Sequence, residues 1–377
     1  MAIRKSKNSP GDPGPGKSVR RRTARFFEDQ LKGEEGLTFL TAKRLFDLAE
    51  EVHLVKPWRL ISDTNLVLVK DPESGEKCYC SVMGELGEVL AVHAYRGLES
   101  YQLFKRIVSG GPLSTGEFFG TQHSVTMELL PSLELTAPDQ ELARAFGHPL
   151  KKGTVAPQFR AGRPGYRPWY PTEAEGKVLA LCVESVLAFC EELAIAPAER
   201  YWKLEDVYPE IFWKKRKFFR VENTLVRITP LPLPERPILD EERLAKLGKN
   251  DYAVRGIIEV DEFYSGAPVG GENERKACLR AVMAVDARNQ YLYMVRTFSP
   301  ETSLAEVLME GVLQTIEKGR FVPAEVHVNA ESKQELLSGL KQRLGFHLRV
   351  VSKLPALEIA KNAMLQTLGD TGPLLSD

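Results

Sequence analysis

The sequence predicts a two-domain protein of the α+β and α/β classes, with an N-terminal antiparallel sheet covered by helices and a C-terminal mixed sheet. Three observations predict this fold class. The chain of 377 residues is long enough for two or three domains, each with its own core. Short apolar runs separated by turn residues fill much of the first half, as strands and hairpins do. In the last third, apolar runs alternate with helical patterns, which is typical of a sheet with parallel strands.

The composition is that of a globular protein. The chain has 51 basic and 51 acidic residues, 43% hydrophobic residues and 27% charged residues, which excludes a disordered chain, a collagen and a disulfide scaffold. Its five cysteines are an odd and scattered set, so reduced thiols are expected. No secretory signal and no run of about 18 apolar residues occurs. We therefore expect a cytoplasmic protein with no membrane partner.

The first residues form a basic segment that differs from the rest of the chain. Residues 1–26 hold eight basic residues and one acidic residue, a net charge of +7, and they are rich in Pro and Gly. The sequence therefore predicts a disordered basic tail over residues 1–36. Arg20, Arg21 and Arg22 are candidate contacts to the phosphate backbone of a nucleic acid. The alternative is a solvated terminus without a partner.

Residues 37–200 are predicted to form the N-terminal α+β domain. Apolar residues at helical or alternating spacing define its elements. They are a helix over 37–55, strands over 65–70, 78–83 and 89–95, a short helix over 98–108 and a long helix from Thr172, where Glu175 completes a capping box. Cys182 and Cys190 on the long helix have no partners at metal-ligand spacing and are expected to pack in the core.

Two basic segments add candidate nucleic-acid contacts. The segment 159–171 interleaves arginine with aromatic residues and proline, a combination that can stack bases or bind phosphates. The alternative is that Tyr166 and Trp169 close the edge of a core. A second run over 213–220 is followed by a returning strand and a proline-rich connector within residues 201–250. The candidate nucleic-acid residues here are Arg163, Arg167, Trp169, Lys214, Lys215, Arg216 and Lys217.

Residues 251–370 are predicted to form the C-terminal domain. Three meandering strands come first, over 257–264, 279–286 and 291–298. Helices and buried strands then alternate: a helix over 303–318, a strand over 325–328, a helix over 332–344, a strand over 346–351 and a final helix from Pro355. The resulting order, β-β-β-α-β-α-β-α, is that of ribonuclease-H-like domains.

That order allows a chemical test. Nucleases and transposases of this topology hold two divalent ions with carboxylates on the first strand, at the end of the fourth strand and on the last helix. Asp261 and Glu358 occupy the first and third positions, but the second position is Asn329, whose neutral amide cannot supply a bridging charge. Asp286, with Glu306 and Glu310, is a candidate compensating acid. No resident metal or cofactor is expected unless these acids converge.

The first half resembles an uncharacterised module found in bacterial proteins of unknown function. The motifs that carry the resemblance are Trp58, Asp71-Pro72-x-x-Gly75, Ser81-Val82-Met83-Gly84-x-Leu86-Gly87-Glu88, Tyr95-Arg96-Gly97-Leu98 and Arg163-Pro164-Gly165-Tyr166-x-Pro168-Trp169. Residues from about Trp202 to Leu368, with Glu259-x-Asp261-x-Phe263-Tyr264, resemble the second domain of unknown function that accompanies this module. The resemblance implies a bacterial, cytoplasmic, two-domain architecture and carries no activity.

Two hypotheses about function follow from these observations. The first is a non-catalytic binding protein with a degenerate ribonuclease-H-like domain, whose partner is a protein or a nucleic acid bound through the basic tail. The alternative is a divalent-metal-dependent nuclease or transposase-like phosphodiesterase that uses Asp261 and Glu358. The neutral Asn329 favours the first hypothesis. Convergence of the carboxylates of Asp261, Asp286 and Glu358 in one cleft would favour the second.

Overall fold

The computed structural model describes residues 15–196, 198–214, 217–228, 238–248 and 250–367. Over these residues the chain has helices and two main sheets, so the predicted α+β class is confirmed. It forms two compact units. The first unit contains the residues up to Gly97 together with Ser124–Ala161 and Trp169–Val226, and the second contains Leu98–His123, Gly162–Pro168 and the residues from Arg227 onward.

The elements are numbered in chain order. The helices are α1 (Pro15–Leu31), α2 (Phe39–Val55), α3 (Gly97–Val108), α4 (Thr115–Thr121), α5 (Ala137–Ala145), α6 (Glu173–Leu193), α7 (Glu241–Gly248), α8 (Leu304–Gly319), α9 (Glu331–Leu344) and α10 (Pro355–Thr367). The strands are β1 (Val67–Lys70), β2 (Lys77–Met83), β3 (Leu90–Arg96), β4 (Ser124–Pro131), β5 (Val155–Gly162), β6 (Val207–Lys214), β7 (Lys217–Leu225), β8 (Ala253–Val254), β9 (Ile257–Val269), β10 (Ala277–Asp286), β11 (Leu292–Phe298), β12 (Phe321–Val322), β13 (Glu325–Val328) and β14 (His347–Val350).

The first unit is a seven-stranded sheet with the order β5-β4-β3-β2-β1-β6-β7. The pairs β1–β2 and β2–β3 are antiparallel, as predicted. The pairs β3–β4 and β6–β7 are also antiparallel, whereas β1 and β6 are parallel. The strand β4 was not predicted, and β7 contains Glu222 and Asn223, where a turn was expected. Helices α2 and α6 bury their apolar stripes in the core of this unit, where Leu45 and Leu179 are fully buried. The predicted capping box of α6 is present, because Thr172 and Glu175 bond each other's backbone N–H groups.

Residues 15–31 depart from the predicted disorder, since they form helix α1. Phe27 is 1% exposed and belongs to the same core as α2 and α6, together with Leu31. The indole N–H of Trp169 donates a hydrogen bond to the backbone oxygen of Gln30 over 2.7 Å. A four-residue spacing places Phe27 and Leu31 on one helix face, and this short apolar stripe is enough to dock the helix. Residues 1–14 of the predicted tail lie outside the described residues.

The second unit contains a five-stranded mixed sheet with the order β11-β10-β9-β13-β14. The first three strands form an antiparallel meander, whereas β13 pairs parallel with β9 and β14 pairs parallel with β13. Helices α8 and α9 share a core with one face of the sheet, and Leu357 of α10 packs with Phe263 of β9 in a separate cluster. The predicted order β-β-β-α-β-α-β-α is confirmed, with the short pair β8–β12 added.

Neither compact unit is continuous along the chain. Residues 98–123, which include α3 and α4, and residues 162–168 belong to the second unit. They pack there through backbone contacts: Gly165 donates its N–H to the carbonyl of Phe119 and accepts the N–H of Cys278, each over 2.7 Å. Within residues 201–250, where basic strands and a proline-rich connector are predicted, β6 and β7 extend the sheet of the first unit. Residues 229–237 of the predicted proline-rich connector lie outside the described residues.

The five cysteines are all buried and free, as the prediction of packing thiols requires. Cys78 and Cys80 of β2 lie against Cys182 of α6 in the core of the first unit. The hydrogen bond with Cys182, together with burial, raises the pKa of Cys78 well above its usual value. Cys78 is therefore a protonated core residue at neutral pH.

Gly116 is the closest contact between α4 and the central strand β9. A Cβ atom at this position would overlap the backbone carbonyl oxygen of Tyr264, which cannot move without distorting the sheet. We expect Gly116→Ala to lower the free energy of unfolding by about 3 kcal/mol, the upper end of the usual overpacking cost. Chemical denaturation of the full chain measures this change. Gly248→Ala is the matched control, because nothing lies within 4 Å of its Cβ position, and an equal effect of both substitutions would contradict the packing argument.

His93 is a buried histidine on β3 in the first unit. Its Nδ1 atom is hydrogen-bonded to the hydroxyl of Thr126 over 2.8 Å, and its ring packs on Tyr95. Its Nε2 atom is buried without a hydrogen-bond partner among the described residues. Burial lowers the pKa of His93 from 6.5 to about 4. The native state therefore holds this ring neutral where an unfolded chain would protonate it.

This lowered pKa predicts an acid-labile contribution to stability. As the pH falls, the imidazole of His93 binds a proton in the unfolded chain before it does so in the native state. The stability that the neutral, buried ring contributes is therefore complete above pH 6.5 and is lost as the pH falls toward 4. The full effect of such a shift is about 3 kcal/mol. We expect His93→Gln to flatten the profile of unfolding free energy between pH 4 and pH 7. His53→Gln, on the exposed surface of α2, is the control and should follow the wild-type profile.

Candidate functional site

Asp261 within β9, Asn329 directly after β13 and Lys333 on α9 lie close together. The parallel register pairs His327 with Glu259, so the next outward positions, Asn329 and Asp261, lie side by side. The amide Nδ2 of Asn329 donates to Oδ2 of Asp261 over 2.9 Å. Lys333, in the first turn of α9, places its ammonium on Oδ1 of Asp261. The two charged side chains are only 14% and 15% exposed.

The Asp261 carboxylate is therefore occupied on both oxygens. Oδ1 accepts the Lys333 ammonium and also the backbone N–H of Glu262, over 2.9 Å. Oδ2 accepts the Asn329 amide, which turns its donor group and not its oxygen toward the carboxylate. The Lys333 ammonium is thus the counter-charge of the Asp261 carboxylate. The arrangement is a partly buried ion pair with an added neutral hydrogen bond.

Asp286, the candidate compensating acid, does not join this group. The antiparallel register places it opposite Ile258, whereas Asp261 lies opposite Met283. Three residues of strand separate the two positions, a distance of roughly 10 Å. The Asp286 carboxylate accepts two backbone N–H groups of the turn after β10 and the hydroxyl of Tyr293. It is a turn-forming residue.

The acids of α8 also have structural partners. Glu306 forms the capping box of α8 with Ser303, so its carboxylate satisfies the first turn of that helix. Glu310 binds the guanidinium of Arg243 on α7 over 2.7 Å and also contacts Arg296. The bond from Arg243 and the nearby guanidinium charges lower the pKa of Glu310 against the opposing effect of burial. Neither acid is directed at Asp261.

Glu358 lies exposed in the first turn of α10, and a different acid occupies the interior there. Glu259 is 3% exposed, and its Oε2 atom accepts the backbone N–H of Leu357 over 2.8 Å. Burial raises the pKa of Glu259, although the backbone donors oppose this shift. Glu259 thus satisfies the amino terminus of α10. The sequence analysis did not assign a role to Glu259. Its position two residues before Asp261, on the same face of a buried strand, could have indicated that its carboxylate needs an internal partner.

The two strand histidines do not form a metal pair. His327 is hydrogen-bonded to Glu325 over 3.0 Å, and Arg349 also contacts that carboxylate. The bond from His327 lowers the pKa of Glu325. In the register, His347 lies opposite Glu325 and not opposite His327. Within the described part of the chain, no three His, Cys, Asp or Glu side chains are grouped to hold a metal ion.

The candidate nucleic-acid residues of the segment 159–171 are divided between the two units. Trp169 packs in the first unit, whereas Arg163 and Arg167 belong to the second. The guanidinium of Arg167 lies over the ring of Phe119, 4.2 Å from its centroid, which is an internal cation–π contact. The bond from Trp169 to the α1 backbone supports the packing alternative for that residue.

The second basic run is only partly described. Lys215 and Arg216 lie outside the described residues, and only the backbones of Lys214 and Lys217 are described, at the ends of β6 and β7. The remaining candidates, Arg20, Arg21 and Arg22, are exposed on helix α1 and not on a disordered tail.

The first unit also has a cavity of about 950 Å³ among α2, α6 and the turn between β1 and β2. Several of its charged side chains form ion pairs: Arg44 pairs with Glu184 and Lys177 with Glu173 inside the lining, and Arg96 pairs with Glu76 next to it. Glu173 accepts the backbone N–H of Thr38 and so satisfies the amino terminus of α2. These contacts explain the polar lining through the structure of the unit itself.

Comparison with known families divides the chain into two consecutive parts. Residues 43–206 match a domain of unknown function (DUF7309), and residues 243–365 match a second domain of unknown function (DUF6930). The chain is thus an α+β protein that pairs these two domains, as the sequence resemblance predicted. No curated protein matches it. Within the described residues, none of the helices has the length and apolar character needed to cross a membrane.

The Asp261–Lys333 pair predicts a measurable coupling. Removal of one partner leaves a partly buried charge without its counterion, which destabilises the fold more than removal of both. We expect the double-mutant cycle Asp261→Asn, Lys333→Met and the double variant to give a coupling energy of about 1–3 kcal/mol in denaturant unfolding. The same cycle on the exposed pair Lys246–Glu242 is the control, with an expected value below about 0.5 kcal/mol. Equal coupling in both cycles would contradict the role given to Lys333.

Proposed function

We propose that this protein is a non-catalytic binding protein whose C-terminal unit is a degenerate ribonuclease-H-like domain. The observation that carries the proposal is the ammonium of Lys333 on the carboxylate of Asp261. The partner is a protein or a nucleic acid. The buried, free cysteines support a reducing, cytoplasmic setting.

The strand order supports the ribonuclease-H-like relationship. Three antiparallel strands followed by two parallel strands, with helices between them, is the arrangement that such domains have. Two-metal phosphodiester chemistry on that scaffold needs carboxylates that share ions about 4 Å apart. In this chain the second position is an amide donor, Asn329, and the cation position holds an amine. Asp286, Glu306 and Glu310 are each engaged in turns, caps or ion pairs.

The alternative function is a divalent-metal-dependent nuclease or transposase-like phosphodiesterase. Its supporting observation is the placement of Asp261 on the first strand of the sheet and of Glu358 on the last helix, which are two of the three positions that such enzymes use. It requires that a metal ion displaces Lys333 and that a third acid replaces Asn329. The ion pair and the hydrogen bond at Asp261 oppose both changes.

A cleavage assay separates the two functions. The full-length protein is incubated with Mg²⁺ or Mn²⁺ and end-labelled single- and double-stranded DNA and RNA, and products are resolved on denaturing gels. We expect no divalent-dependent cleavage, and no difference between the wild type and Asp261→Asn. Cleavage that requires Mn²⁺ and disappears in Asp261→Asn would refute the non-catalytic function and support the alternative.

A metal-binding assay tests the position of Lys333 directly. The variant Asn329→Asp, Lys333→Ala restores a second acid and removes the ammonium, so it should bind Mn²⁺ in electron paramagnetic resonance titrations. The wild type should not bind Mn²⁺ at this position. The matched control is Asn289→Asp, Lys318→Ala, which makes the same charge change on exposed residues. Mn²⁺ binding by the wild type that Asp261→Asn abolishes would contradict the expectation.

A further inference from the structure

Helix α1 presents a row of arginines on a rigid support. Arg21, Arg22 and Arg25 are exposed, whereas Thr23 and Phe27 are buried against the first unit. At 100° per residue, Arg21 and Arg25 lie on the face opposite the buried stripe, and Arg22 lies beside them toward α5. The core contacts that dock the helix therefore also orient the arginines outward.

The charge order along α1 opposes its own dipole. The cations precede Phe26, and the acids Glu28 and Asp29 follow it; the first turn holds no acid and the last turn no base. A helix dipole favours acids at the amino end and bases at the carboxyl end, so this order destabilises the isolated helix. A bound polyanion at the amino-terminal half would remove the conflict. A local rule broken in this way is typical of a functional surface.

The arginine row continues onto helix α5. Arg22, Phe26 and Arg144 line a cavity of about 170 Å³ between α1 and α5, and Glu141 also lines it. Arg144 contacts the side-chain oxygen of Gln140 over 3.3 Å. A guanidinium carries five N–H donors, so this contact leaves donors that can bind phosphate oxygens. The two helices together form a basic surface that is wider than one helix.

We propose that this surface, made of Arg21, Arg22, Arg25 and Arg144, binds the phosphate backbone of a double-stranded nucleic acid. The proposal rests on the proposed binding function and names its partner. Charge complementarity is the recognition, because a duplex carries about one negative charge per 1.7 Å of axis.

Two other polyanionic partners fit this surface less well. A single strand would need exposed aromatic rings for stacking, but Phe27 is buried in the core and Phe26 is half-buried, edge-to-face against Phe27 and Tyr170. A lipid surface would need an exposed apolar helix face, and the apolar face of α1 is already packed against the first unit.

The test is fluorescence anisotropy of a labelled 20-base-pair DNA or RNA duplex with the full-length protein, in EDTA, between 50 and 200 mM NaCl. The variant Arg21→Gln, Arg22→Gln, Arg25→Gln should bind at least about 10-fold more weakly at low salt. Its slope of log affinity against log salt should fall by about 2–3, since three phosphate contacts are lost. The matched control Lys151→Gln, Lys152→Gln, Lys203→Gln removes the same charge from exposed positions of the first unit and should leave both values unchanged.

A second variant keeps the test independent of folding. Arg21→Lys, Arg22→Lys, Arg25→Lys retains the charge and should keep most of the salt slope, and circular dichroism should show equal helix content in all variants. Equal losses in the glutamine variant and its control would overturn the proposal, as would no loss in either. Arginine-dependent binding to phosphatidylserine vesicles or to oligo-dT, without duplex binding, would replace it with a membrane or single-strand partner. EDTA prevents metal-dependent cleavage, so the anisotropy assay measures duplex binding alone. Its result is therefore independent of the result of the cleavage assay that tests the proposed function.

Discussion

The ion pair between Asp261 and Lys333 is the interaction on which the functional interpretation of this protein depends. The parallel pairing of β9 and β13 places Asn329 beside Asp261, and the first turn of α9 brings the ammonium onto the same carboxylate. A partly buried carboxylate needs a counter-charge, and here the chain supplies it. The Asp261 carboxylate therefore has its counter-charge within the chain.

A second constraint is that each compact unit is built from segments that are not contiguous in the sequence. Residues 98–123 and 162–168 leave the first unit and pack with the sheet of the second. Gly116 and Gly165 permit this, because each lies against backbone or proline atoms where a side chain would not fit. Each unit is consequently completed by segments from distant parts of the sequence.

The acidic residues in and around the second sheet have structural roles, although several of them are candidate metal ligands by sequence. Asp286 closes a turn, Glu306 caps a helix and Glu310 binds two arginines. Glu259, which the sequence reading overlooked, satisfies the amino terminus of α10 from inside the sheet. Unsatisfied backbone groups at turns and helix ends attract carboxylates wherever they occur. Acidic residues near a sheet are therefore weak evidence for a metal site until their hydrogen-bond partners are known.

The sequence by itself determined the α+β class, the order β-β-β-α-β-α-β-α and the capping box at Thr172. These features are predictable because the periodicity of strands and helices and the caps of helices depend on neighbouring residues. The neutral residue at position 329 was also visible in the sequence. Tertiary structure alone decided the rest. It placed Lys333 on Asp261 across 72 residues of chain, gave the basic segment a helix through Phe27 and Leu31, and set the boundaries of the units. These outcomes depend on which surfaces meet after the chain collapses, and no local pattern records the distance between residues that are far apart in sequence.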